Sequence, residues 1–168
     1  FYAKSIYNDT MMTVNALKEM VGSLAGLPGR KALLYLSDGV PMTAGEDLFY
    51  LIDEKYQESI TSHLASTNYR TQRHFEELTA RANANRVSFY TIDASGLNAL
   101  EGFGAEDRFV PEAMASSFAM NDLQDSLSYM ADATGGLAVL NTNDVAKGLE
   151  LIQDDLHSYY SLGYTISS

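Results

Sequence analysis

Lys31-Ala32-Leu33-Leu34-Tyr35-Leu36-Ser37-Asp38-Gly39 is the stretch on which the fold class turns. A short apolar run ended by a carboxylate and a glycine predicts a β-strand buried on both faces, as strands of a parallel sheet are. Pro28-Gly29 ahead of it cannot continue a helix, because proline lacks an amide donor and glycine accepts a positive φ. Asp38 therefore stands at the carboxyl end of a strand, where Gly39 lets the backbone turn sharply.

On the amino-terminal side, Thr13, Ala16, Leu17, Met20, Val21 and Leu24 recur at helical spacing. They predict an amphipathic helix over 10–25, with Asp9 and Thr10 suited to its N-cap and Gly26-Leu27-Pro28-Gly29 as its stop. On the other side, a polar and helical tract runs from about 46 to 85. Phe75, Leu78 and Ala82 mark the packed stripe of its second half, and 46–72 reads as an insertion. Val87-Ser88-Phe89-Tyr90-Thr91-Ile92-Asp93 is a second strand, rich in β-branched and aromatic residues and again ending on an acid. Helix, strand, helix, strand in that order predicts a parallel sheet.

Residues 94–119 hold four glycines or prolines without a period, so they read as a long loop at that strand's carboxyl end. Asn121 with Gln124 makes a capping box for a helix through Leu123, Leu127 and Met130, closed by Thr134-Gly135-Gly136. Leu137–Leu140 is the third strand. Asn143 and Asp144 then cap a helix expected to turn Val145, Leu149, Ile152 and Leu156 inward, and Tyr159–Ile166 is the last strand. The expectation is one α/β domain over 1–168: a three-layer, doubly wound, mostly parallel sheet.

The 168 residues, 46% hydrophobic and 20% charged, suffice for a substantial core. A formal charge of −11 sets nucleic acid and anionic membrane surfaces aside as partners, since both repel it at long range. Without cysteine there is no disulfide framework, thiolate zinc site or thiol nucleophile. The longest apolar runs are strand-length, far below the roughly 20 residues of a membrane helix, so no membrane insertion is expected. Phe1-Tyr2-Ala3-Lys4-Ser5 has neither an initiator Met nor the pattern of a signal peptide, and the chain reads as part of a longer polypeptide.

Enzyme signatures are missing. No G-x-S-x-G elbow occurs for serine hydrolysis, and His63, His74 and His157 lie on polar stretches outside any H-E-x-x-H. Gly22, Gly26 and Gly29 follow a helix instead of opening one, unlike a phosphate loop. Asp53, Glu54, Glu58, Glu76 and Glu77 read as solvated acidic faces, and Tyr159, Tyr160 and Tyr164 as sheet packing.

Four ordered segments, Pro28 to Gly39, Phe89-Tyr90-Thr91-Ile92-Asp93, Ala133-Thr134-Gly135-Gly136 and Tyr159-Tyr160-Ser161-Leu162-Gly163-Tyr164, together resemble the von Willebrand factor A-related domains of the acidobacterial type. The resemblance implies an exported, non-enzymatic binding or adhesion module, periplasmic, envelope-bound or secreted, with a protein or glycan ligand. It implies a metal-ion-dependent adhesion site at the carboxyl ends of the strands, built from a D-x-S-x-S loop, a threonine loop and an aspartate loop. Asp38 matches the aspartate loop, and its carboxylate is a hard ligand suited to Mg²⁺, Mn²⁺ or Ca²⁺. Thr10 or Thr13 is the threonine candidate, without the family's usual preceding glycine. The D-x-S-x-S loop falls before Phe1 in the family order, so the domain is incomplete at its N-terminus. Asp93-Ala94-Ser95-Gly96 imitates that motif at the wrong strand and reads as a turn. The family strand that covers the edge of 32–37 also falls before Phe1, so either the longer polypeptide supplies it or the edge pairs with a second copy, which makes a homodimer one expectation. A metal-independent scaffold is the alternative function. A hydrolase using Asp38 and Asp93 is a third reading, for which the sequence offers no pocket.

Overall fold

The computed structural model describes residues 1–56, 67–96 and 111–157. Eight elements follow in order: α1 (Tyr2–Ser23), β1 (Lys31–Ser37), α2 (Glu46–Tyr56), α3 (Gln72–Ala84), β2 (Val87–Asp93), α4 (Pro111–Thr134), β3 (Ala138–Val139) and α5 (Val145–His157). The described strands form one parallel three-stranded sheet in the order β1-β2-β3. Lys31 to Ser37 pair residue for residue with Val87 to Asp93, so Ser37 and Asp93 finish level with each other.

Alternation along β2 explains the layers. Val87 and Phe89 point to one face, where with Leu33 they join Val14, Leu17 and Val21 of α1, Phe75, Leu78 and Ala82 of α3, and Leu127 and Met130 of α4. Tyr90 and Ile92 point to the other, where they meet Val139 and Ile152 of α5. Every residue of β2 is buried, as a central parallel strand should be. Helices thus cover both faces, and the α/β layout expected from the sequence is present.

β1 departs from its expected burial. Only Leu33 is fully buried, while Leu34 and Leu36 are 49% and 55% exposed. The reason is position: β1 lies at the edge of the described sheet, and α5 covers β2 and β3 without reaching it.

Two helices start earlier than the capping signals indicate. α1 begins at Tyr2, and Asp9 and Thr10 lie in its interior. Ala3, Thr10, Val14, Leu17 and Val21 form one buried stripe at three- and four-residue steps, so the helical period continues through the residues expected to cap it. α4 begins at Pro111, which takes the first helical position because its missing N–H would have no partner there. Residues 111–119 are therefore helix and not part of a 94–119 loop, and Gln124 is used across the sheet instead of in a capping box. Residues 97–110 of that stretch lie outside the described residues. So do 57–66 of the expected 46–72 insertion and the strand expected over 159–166.

The described parts of 46–72 are held by aromatic packing. Tyr69 meets Tyr7 edge-on and stacks with Phe49, at centroid distances of 6.2 and 6.0 Å. Tyr50 lies 5.1 Å from the ring of Phe118. At the other end, α5 is capped as expected, Asp144 accepting the Lys147 N–H at 3.0 Å. Its inward face is narrower than expected. Ile152 and Gly148 are buried, whereas Val145, Leu149 and Leu156 stay exposed.

Candidate functional site

Parallel strands present their carboxyl ends together, and in open α/β sheets this is where ligands bind. Here the edge carries Asp38 after β1 and Asp93 at the end of β2. The two acids have opposite surroundings.

Asp93 is 2% exposed and fully engaged. One carboxylate oxygen accepts the Ser95 N–H at 2.9 Å and the Ser95 hydroxyl, which is an Asx turn, as expected for Asp93-Ala94-Ser95-Gly96. The other accepts Nε2 of Gln124 at 2.9 Å. Gln124 in turn exchanges amide hydrogen bonds with Asn141, whose φ of 54° places it in the left-handed region that asparagine tolerates. The group ties the carboxyl ends of β2 and β3 to the middle of α4.

Asp38 is exposed, and no described hydrogen bond or ion pair engages it. The turn beneath it is rigid. Gly39 N–H donates to Ser37 Oγ at 3.1 Å, and Val40 N–H donates to the Ser126 hydroxyl at 3.1 Å. Gly39 has φ 99°, and a Cβ there would overlap the carbonyl of Leu123.

The loop that follows is clamped from both sides. Thr71, fully buried, donates its hydroxyl to the carbonyls of Pro41 and Met42 at 2.9 and 3.0 Å. On the opposite side Asp122 accepts the Thr43 N–H at 3.0 Å. Burial pushes the Asp122 carboxyl up to about 6, with neighbouring Glu46 and Asp125 adding to the rise and the backbone donors of Thr43 and Met42 opposing it. Glu46 is raised too, by burial first and then by Asp125, against the pull of Arg70. These acids border an open cleft of about 230 Å³ whose other walls include Tyr2, Ile6 and Leu123. Sequence reading missed this cleft. Its only signal was the Glu46-Asp47 pair, since nothing local shows that Asp122, in the helix expected from Asn121, faces the loop after β1.

Thr10 and Thr13 lie on α1. The N-terminal turn of that helix touches the loop, where a Cβ on Gly45 would sit 2.8 Å from that of Ala3. Thr10 and Thr13 follow roughly 10 and 15 Å further along the axis. Thr10 is 2% exposed within the packed stripe, and Thr13 donates its hydroxyl to the Asp9 carbonyl at 3.1 Å. No described hydrogen bond joins either to Asp38. Among the described residues no group of three or more histidine or carboxylate side chains is arranged to hold a metal. Of the expected ligand set, the described residues thus offer one open carboxylate, which does not make a closed metal site.

Comparison with protein-family models, with curated proteins and with solved structures finds no match. No described helix is long and apolar enough to cross a membrane.

Proposed function

We propose that this chain is a non-enzymatic ligand-binding or adhesion module of the von Willebrand factor A type, binding at the carboxyl edge of its sheet. The observation that carries the reading is the contrast between the two acids. Asp93 is consumed by the fold, whereas Asp38 stands open on a turn held rigid by Gly39, Ser37 and Ser126. A rigid, unengaged carboxylate at this edge costs little to order when a ligand arrives.

In this reading Asp38 is one ligand of a Mg²⁺, Mn²⁺ or Ca²⁺ ion, with water and an acidic group of a protein or glycan partner completing the shell. An exported location, in periplasm, envelope or medium, belongs to the same reading. It rests on the four sequence segments. The burial of Asp93 and its three hydrogen bonds weigh against a hydrolase built on Asp38 and Asp93, because a general base must reach the substrate proton it removes.

Calorimetric titration of Mn²⁺ and Mg²⁺ into the chain and into Asp38→Ala tests the cation. Binding that disappears in Asp38→Ala supports the proposal. No binding by the unmodified chain overturns the cation and leaves the second reading, a metal-independent scaffold. That reading is favoured by the position of Thr10 and Thr13 inside α1 and by the Asp93, Gln124 and Asn141 lock, which stabilises the edge without any ion.

A further inference from the structure

We propose that Asp38-Gly39 is a modification site, a peptide bond that rearranges to isoaspartate when the turn after β1 loosens and that the hydroxyls of Ser37 and Ser126 protect in the folded chain. The inference concerns the bond itself and does not rest on the binding reading.

The sequence sets this pair apart. It is the only Asp-Gly in the chain, and there is no Asn-Gly. The reaction needs no reagent other than water. The Gly39 nitrogen attacks Cγ of the protonated Asp38 carboxyl, and the amide hydrogen and the carboxyl hydroxyl leave together as water, closing a five-membered succinimide. Water then adds to one of the two ring carbonyls. Opening at Cγ restores aspartate, whereas opening at the main-chain carbonyl leaves the chain running through Cβ and Cγ, one methylene longer. Glycine favours closure because no Cβ crowds the attacking nitrogen.

Exposure makes the carboxyl available. Asp38 is exposed, and no described hydrogen bond or ion pair holds its side chain away from Gly39. Asp93 differs, since its carboxylate is buried and bonded to Ser95 and Gln124. Asp125 and Asp132 precede the small residues Ser126 and Ala133, but both pairs lie inside α4, where the helical ladder fixes the next amide.

Protection comes from three successive planar peptide units, each pinned by one hydrogen bond. The unit between 37 and 38 is held through the Ser37 carbonyl, which accepts the Ala94 N–H at 3.1 Å. The next is held through Gly39 N–H, which donates to Ser37 Oγ at 3.1 Å, so the attacking nitrogen itself has its hydrogen engaged. The third is held through Val40 N–H, which donates to Ser126 Oγ at 3.1 Å. Ser126 is fully buried and donates in turn to the Leu123 carbonyl at 2.7 Å, which fixes the position of its oxygen. Closing the ring requires rotation about ψ of Asp38, and that rotation breaks the bond from Gly39 to Ser37. The product does not fit the folded turn either. It inserts a main-chain atom where even a Cβ on Gly39 would overlap the Leu123 carbonyl.

Incubation in EDTA at one mildly acidic pH, with and without urea, tests the proposal while keeping cations off the carboxylate. Isoaspartate is counted by enzymatic methylation of its carboxylate and placed by peptide mapping. It is expected at position 38 in urea and to form far more slowly in the folded chain. Ser37→Ala removes one hydrogen bond from a half-buried position and should speed formation in the folded chain about fivefold, whereas Ser37→Thr, which keeps the hydroxyl, should leave it slow. Asp38→Ala should abolish the signal at that peptide. Absence of isoaspartate from position 38 in urea overturns the site. Equal rates in the folded and unfolded chain, or in folded Ser37→Ala and the unmodified chain, overturn the protection. The comparison with urea decides even where Ser37→Ala fails to fold.

Discussion

Asp122 of α4 accepts the main-chain N–H of Thr43 at 3.0 Å, and this bond ties the loop after β1 to the helix that packs beneath the sheet's carboxyl edge. A carboxylate gives that bond strength, yet burial makes the charge costly. The folded carboxyl titrates near 6 against an ordinary 3.8, so folding disfavours its ionised form. Its contribution to stability is fully present below about pH 3.8 and is lost as pH rises through about 6. Glu46, also raised, acts in the same sense. Asp122→Asn keeps an acceptor without the charge. Its stability relative to the unmodified chain should therefore improve between pH 4 and pH 7 by on the order of 1 kcal/mol, discounted for the partly solvated position. Urea midpoints at several pH values check this; a pH-independent difference would show that the raised titration has no energetic weight.

Gly39 and Gly26 flank the same strand but should respond oppositely to alanine. At Gly39 a side chain meets the Leu123 carbonyl and a φ of 99°, so Gly39→Ala should cost about 2 kcal/mol or more. At Gly26 nothing lies within 4 Å and no positive φ is needed. Gly26→Ala should be neutral or stabilising by up to about 1 kcal/mol. Thermal melts of the two variants make the comparison.

Much of the fold was legible because it rests on local patterns. Val87 to Asp93 and Phe75, Leu78 and Ala82 signal their structure through composition and period, and they occupy the expected places. The two misread helix starts share one cause. Asp9, Thr10, Asn121 and Gln124 have side chains that suit a cap, but whether a helix stops there depends on what it packs against. For α1 that is the Gly45 loop at Ala3 and α3 beside Val14, Leu17 and Val21, and for α4 it is α2. The candidate site was legible only at Asp38. Its contrast with Asp93 depends on Gln124 and Asn141 arriving from other elements, which no local spacing reveals.

α5 offers a direct measure of that limit. Val145, Leu149, Ile152 and Leu156 look equivalent by helical period, yet Ile152 alone among them is buried, beside Gly148, which lets Val139 approach closely. Ile152→Ala should cost about 2–4 kcal/mol and Leu149→Ala less than about 0.5. Equal costs in chemical denaturation would mean that Leu149 is covered in solution, and the exposed side of α5 would then belong to an interface.

Asp38 and Asp93 complete the set. Removing the buried Asp93 carboxylate takes the acceptor from the Ser95 N–H and from one Gln124 amide hydrogen, whose partner hydrogen keeps Asn141, so Asp93→Ala should destabilise the fold by about 1–3 kcal/mol. Asp38→Ala removes no described contact and should change stability by less than about 0.5 kcal/mol. Denaturant titrations of both variants, in EDTA and then with 10 mM Mn²⁺, separate architecture from binding. The unmodified chain and Asp93→Ala, where folded, should both gain midpoint with Mn²⁺, because an ion bound only by the folded state stabilises it by mass action. Asp38→Ala should gain nothing. If the gain persists in Asp38→Ala, the ion sits elsewhere on this acidic surface and Asp38 is not its ligand.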